Sequence, residues 1–188
     1  YVMLDIGQPL HAFDAAKLVA REGAYALAVR EAGADETITA LTNETYQLPE
    51  GTLLIADANA SGTPLGIAGL KGGLLAGITE ATTDIIIESA NFDGTVVRKT
   101  AQALKLFTDA SSRFQNKPSP ALAAYGMRDI LALIEKVAGG ELIGVVDAYP
   151  TAPEPQTVSV SLTRMNEVLG STFVVEDVRD ALVAGDLA

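Results

Sequence analysis

At 188 residues, with 48 % hydrophobic and 20 % charged side chains, the chain has the length and make-up of one well-buried globular domain carrying at most a small appendage. No run approaches the roughly 18 uninterrupted apolar residues of a membrane-spanning helix, and with no cysteine and one histidine the chain can build neither disulfides, thiolate metal sites nor a His-rich zinc site. The net charge of −11 argues against broad, non-specific nucleic-acid binding, which depends on lysines and arginines displacing counterions from phosphates.

Val2–Ile6 reads as a buried strand running into the Gly7-Gln8-Pro9 break. The opening Tyr1-Val2-Met3-Leu4-Asp5 has neither the basic nor the apolar region of a secretory signal, so the expected compartment is the cytoplasm. Short strands parted by turns then follow at Ala26–Arg30, Ile38–Leu41, Thr45–Leu48, Leu53–Ala56, Thr63–Ile67 and Asp84–Ser89. The second and third of these should form a hairpin across Thr42-Asn43-Glu44, because Asn tolerates turn conformations that branched residues resist.

At Asp93 the character changes. Its side chain is a credible cap for a helix reaching about Leu106. A second helix is expected from Ser119, with Pro120 as its first residue, to Gly139-Gly140, burying Leu122, Gly126, Ile130, Leu133, Ile134 and Val137 on one face. Glu141–Ala148 returns as a strand, and Pro150–Gln156, with three prolines, is an extended semi-rigid linker. Beyond it, Val158–Leu162 alternates as a strand, and Thr163–Gly170 reads as a capped helix closed by glycine. These elements predict an α+β fold: a β-rich module with flanking helices over 1–149, the linker at 150–156, and an incomplete small helical unit over 157–188. So few residues in the last segment cannot bury a core of their own, which makes the chain read as a fragment of a longer protein.

Glu88 follows three isoleucines, Ile85, Ile86 and Ile87, in a strand that reads as buried on both faces. A carboxylate there must find donors or shift its ionisation, and residue chemistry admits both a structural ion pair and a functional site. His11, the only histidine, suits acid–base work by its pKa, although a lone histidine also serves as a surface or satisfied core residue. Gly66, Gly69, Gly72, Gly73 and Gly77 fit tight turns between strands, or a backbone that approaches a ligand closely. They do not form a P-loop, since Lys71 precedes the glycine pair. Thr108–Phe114 offers hydroxyls beside an acid but no nucleophile elbow; Asp109 reads as a helix cap and Arg113 as a structural or RNA-facing cation. Residues 98–117 carry Arg98, Lys99, Lys105, Arg113 and Lys117 against Asp109 alone, a pattern that fits a solvated helix face and also a contact to a nucleic-acid backbone.

Four segments in order, Gly7-Gln8-Pro9-Leu10-His11-Ala12-Phe13-Asp14, Gly66-Ile67-Ala68-Gly69-Leu70-Lys71-Gly72-Gly73, Ile87-Glu88-Ser89-Ala90-Asn91-Phe92-Asp93 and Thr108-Asp109-Ala110-Ser111-Ser112-Arg113-Phe114, resemble the editing (B3/B4) module in the beta subunit of bacterial phenylalanyl-tRNA synthetase. The resemblance runs over roughly residues 1–150, and the tail resembles the opening of the next domain of that subunit, a helical unit of winged-helix type. It implies hydrolysis of tyrosine mis-attached to the 3′ end of tRNA-Phe, with Glu88 recognising the tyrosine hydroxyl and His11 positioning substrate or water. It also implies that Gly69, Gly72 and Gly73 admit the amino acid and the terminal ribose, and that Arg98, Lys99 and Arg113 face tRNA. No metal or cofactor is implied here, ATP and Mg being used at a separate site of an alpha2-beta2 assembly with the alpha subunit; neither a membrane nor DNA is an implied partner. One departure stands out: the family's Glu-Arg-Gly-Val-Asp-Pro after Phe114 is replaced by Gln115-Asn116-Lys117-Pro118-Ser119-Pro120. The alternative function is a non-catalytic scaffold or tRNA-positioning module of the same synthetase, with editing lost.

Overall fold

A computed structural model describes residues 1–149 and 157–185, which fall into two compact units, Tyr1–Ile143 and Gly144–Ala188. Every strand pairing in the first unit is antiparallel, and the helices flank the strands, giving the expected α+β architecture. Among the described residues no helix is long and apolar enough to cross a membrane.

Val2–Ile6 is a helix, α1, and not the strand that its apolar run suggests. So short a run has no periodicity to separate the two, and Gly7, in the left-handed region at φ 86°, closes the turn by donating its N–H to Met3 O. Strand β1 (His11–Asp14) follows and pairs with β8 (Ile85–Glu88), placing His11 opposite Glu88 and Phe13 opposite Ile86. A four-stranded sheet runs in the order β2 (Leu27–Glu31), β5 (Leu53–Asp57), β6 (Thr63–Ile67), β7 (Lys71–Gly72). The expected hairpin is present as β3 (Thr37–Thr39) and β4 (Thr45–Gln47), with Asn43 at φ 65° in its turn. Strand β8 is not buried on both faces: Ile85 is exposed and the following three residues are half-buried, because β8 has β1 as its single ladder partner.

Helix α2 (Gly94–Leu104) starts where Asp93 accepts the N–H groups of Thr95 and Val96. Helix α3 (Asp109–Gln115) is capped by Thr108 and not by Asp109: Thr108 Oγ1 accepts from Ser111 N while Ser111 Oγ accepts from Thr108 N. Asp109 is the first helical residue, where its charge complements the helix dipole. Phe92, Val97 and Phe114 from this region meet Phe13, Leu54, Leu65 and Ile67 in one core.

Helix α4 (Leu122–Ala138) begins later than expected, after a turn at Ser119–Ala121. On its expected apolar face Gly126 is buried, Leu122, Ile130, Leu133 and Ile134 are half-buried, and Val137 is exposed. Glu141–Ala148 forms no strand; Ile143 is 90 % and Val146 93 % exposed, and without a neighbour to take its N–H and C=O groups an apolar run gains nothing by extending. In the second unit Val158–Leu162 is likewise no strand. Ser161 accepts from Arg164 N to cap α5 (Leu162–Leu169), which Gly170 closes as expected, and α6 (Val175–Ala184) follows. The proline-rich Pro150–Gln156 lies outside the described residues.

Gln8 ties the first unit together beside β1. It is fully buried, and its Nε2 donates to Ala90 O at 2.8 Å and to Pro9 O at 3.0 Å. Helix α4 lies over it: a Cβ at Gly126 would stand 2.5 Å from Gln8 Cγ, and Ser89 Oγ donates to Ala123 O at 2.6 Å. Gln8→Ala removes the donor to a buried carbonyl and leaves a void, which should cost about 1–3 kcal/mol. A thermal melt should show Tm lower by roughly 2–10 °C; an unchanged Tm would show that Gln8 is not the clamp.

Candidate functional site

In an antiparallel ladder, directly opposed residues project from the same face with Cβ atoms about 4.5–5.5 Å apart. The β1–β8 register therefore brings His11 and Glu88 side by side, and both line a cavity of about 80 Å³. At about 10–15 Å³ per water centre, that is room for several waters or for a small polar group and its solvent. Phe13, Phe114, Ile55 and Leu70 supply apolar wall, and the β6–β7 turn supplies backbone from Gly66 to Gly72.

Glu88 is half-buried, open toward the cavity and otherwise enclosed by protein. Burial alone pushes its carboxyl up to about 7, and no opposite charge or hydrogen-bond donor pulls it back. Near neutral pH this group exists in both forms, a donor when protonated and an acceptor when ionised. His11 is shifted the other way: burial lowers its pKa, so at neutral pH the imidazole is uncharged. Its ring meets Phe13 edge-on, with centroids 4.7 Å apart and planes at 75°, and its Nε2 is buried without a protein partner. An uncharged imidazole beside a carboxyl that titrates near 7 can orient a water or move a proton, and neither group is neutralised by a structural ion pair.

The glycines divide. Gly72 forms the seat of His11: a Cβ there would lie 2.3 Å from His11 Cε1 and 2.6 Å from Nε2. Gly69 lines the cavity at φ 70°, and a Cβ on it would press to 3.0 Å against both Phe114 and Val97. Gly73, expected beside them at the ligand, stands behind the wall: its missing side chain makes room for Leu65 O, 2.6 Å from where a Cβ would be, so close packing explains it.

The cations expected to face RNA lie on the helices α2 and α3. Arg98 and Lys99 are exposed on α2, and Arg113 is exposed on α3 with its guanidinium 3.9 Å from the position of a Cβ on Gly7. None of the three lines the cavity. Lys71 does, and sequence reasoning missed it, using it only to dismiss a P-loop. The signal was present: Lys71 is the sole lysine or arginine between Arg30 and Arg98. Among the described residues no cluster of His, Asp and Glu is placed to hold a metal ion.

A family model described as "B3/4 domain" matches residues 1–139. The chain is 40 % identical over 182 residues to the phenylalanine–tRNA ligase beta subunit of Porphyromonas gingivalis, 36 % over 183 to that of Clostridium acetobutylicum and 38 % over 186 to that of Francisella tularensis. Each alignment takes in 97–98 % of this chain and 22 % of the relative, so the chain spans about a fifth of the length of these proteins. The match reaches from α1 to the end of α4, the stretch that carries both strands of the cavity and the helix clamping them, and on that ground the chain belongs to the B3/4 domain family.

Proposed function

We propose that residues 1–139 are an editing module, which hydrolyses the ester linking mis-attached tyrosine to the 3′ end of tRNA-Phe. The observation that carries this reading is an unpartnered carboxyl, Glu88, facing a cavity beside an uncharged imidazole, His11. Family membership and the names of the relatives give the substrate class its footing. In this reading the tyrosine hydroxyl donates to ionised Glu88, and phenylalanine, having no hydroxyl, leaves the buried carboxylate unpaired and is rejected. Water attacks the ester carbonyl, oriented by His11; the carbonyl carbon gains the water oxygen, the ribose 3′ oxygen leaves, and the water's proton passes to it. The whole protein would be the beta subunit of a synthetase that pairs with an alpha subunit in an alpha2-beta2 assembly, acts on tRNA-Phe in the cytoplasm, and uses ATP and Mg at a separate site. The Gln115–Pro120 departure favours the scaffold alternative; a cavity left open beside Glu88 and His11 favours editing.

Glu88→Ala should remove discrimination between tyrosine and phenylalanine while leaving the fold intact. One hydroxyl–carboxylate hydrogen bond is worth about 1.5–3 kcal/mol, or roughly tenfold to over a hundredfold in selectivity. Deacylation of Tyr-tRNA-Phe against Phe-tRNA-Phe measures it; wild-type ratios in the variant would acquit Glu88 as the reader.

Stability should report the same carboxyl. The folded protein holds Glu88's proton up to about 7 whereas the unfolded chain releases it near 4.5, so between those values the native state binds more protons and this group's contribution falls as pH rises. Glu88→Gln, which cannot ionise, should therefore gain on wild type between pH 5 and 8. Melts at the two pH values test this, and a constant Tm difference would show that the carboxyl is not shifted.

Gly72→Ala should displace the His11 ring and lower deacylation at least tenfold with little effect on the melt. Unchanged activity would separate His11 from the chemistry.

A further inference from the structure

Lys71 is the single cation in the cavity wall, and its ammonium pairs with Glu44, which does not line the cavity. Its side chain is 20 % exposed, and Nζ stands 3.7 Å from Glu44 Oε2, a carboxylate whose side chain is 62 % exposed. Glu44 is itself held in place, accepting from Tyr46 Oη at 2.6 Å and Thr42 Oγ1 at 2.9 Å. An ion pair with one partner largely in water adds little to stability, so stabilisation alone is a weak reason for a lysine among the glycines of this wall. Glu88, by contrast, makes no ion pair among the described residues, while the Lys71 ammonium reaches Glu44, a residue that is not part of the cavity lining.

This polarity suits one end of a nucleotide. If the cavity takes an amino acid esterified to a terminal ribose, as the editing reading requires, the side chain lies at Glu88 and the ribose lies nearer the mouth. The next group outward is the phosphate on the 5′ oxygen of that ribose. We infer that Lys71 is the positioning cation for this 5′-phosphate, released from Glu44 when the phosphate arrives. The inference rests on the editing reading. It gives the acidic chain a contact to the nucleic-acid backbone at the cavity itself, whose lining does not include the exposed cations Arg98, Lys99 and Arg113.

The test uses the assembled synthetase and two small esters, 3′-O-tyrosyl-adenosine and the same compound bearing a 5′-phosphate. Wild type should prefer the phosphorylated ester about tenfold in kcat/KM, mainly through KM, and the preference should shrink as salt rises. Lys71→Met should bring the ratio close to one, and Lys71→Arg should keep it. A wild type that hydrolyses both esters without preference, or a Lys71→Met ratio equal to wild type, overturns the inference and leaves the editing reading standing. Loss of both esters in Lys71→Met also overturns it, since Lys71 would then serve the ester itself. A wild type that hydrolyses neither ester, nor full Tyr-tRNA-Phe, overturns the editing reading and this inference with it.

Discussion

The geometry of the cavity depends on the pairing of β1 with β8, and that pairing depends on the buried amide of Gln8. Its two N–H donors take the carbonyls of Ala90, just past β8, and Pro9, just before β1, fixing the two strands in one register at the point where they meet. A slip of one residue would turn His11 and Glu88 onto opposite faces. Helix α4 keeps water from this clamp by laying Gly126 against the Gln8 stem, a contact that a side chain at position 126 would block. Only the donor side of the amide is paired, Oε1 being buried without a partner, so the register is held by the two N–H bonds and by packing on the Gln8 stem.

The cavity itself works against stability. Glu88 has no donor or cation to offset its burial, and His11 Nε2 is enclosed without a protein partner. Elsewhere in the same unit buried carboxylates are satisfied: Asp14 accepts from Thr82 and Ala16, and Asp57 from Val19, Asn59 and Ala60. The contrast separates acids that shape loops from one acid that lines a cavity with no donor or cation beside it. A fold that satisfies Asp14 and Asp57 and leaves Glu88 facing a cavity bears a local destabilisation there, a pattern that marks a candidate functional site.

Six strands between Leu27 and Glu88 were legible to within a residue or two because their branched runs are bounded by Gly, Pro and Asn turns, whereas β7 (Lys71–Gly72) and β1 (His11–Asp14) were not expected, being short and without a branched run. Helix α2 was legible from Asp93, whose cap acts over three residues. The segments wrongly read as strands share a cause. Val2–Ile6, Glu141–Ala148 and Val158–Leu162 are all short and apolar, and whether such a run becomes a strand depends on a partner far away in sequence. Thr108 and Asp109 are both acceptable caps, and the contact of Thr108 Oγ1 with Leu70 O decided between them.

By itself the sequence determined the local chemistry: which residues turn, which cap, which form the apolar alternation of the sheet, and which carry a carboxyl, an imidazole or a lysine where few others do. Order along the chain also carried the family. The tertiary structure alone decided what those groups face. Placing His11 across from Glu88, Gly72 under the imidazole, Gly73 behind the wall and Lys71 beside Glu44 requires strand register and packing distances, which are set by contacts between segments far apart in the chain. The ionisation of Glu88 follows from those contacts too, because a carboxyl's pKa reflects the solvent and donors around it, and the residue type supplies only the starting value.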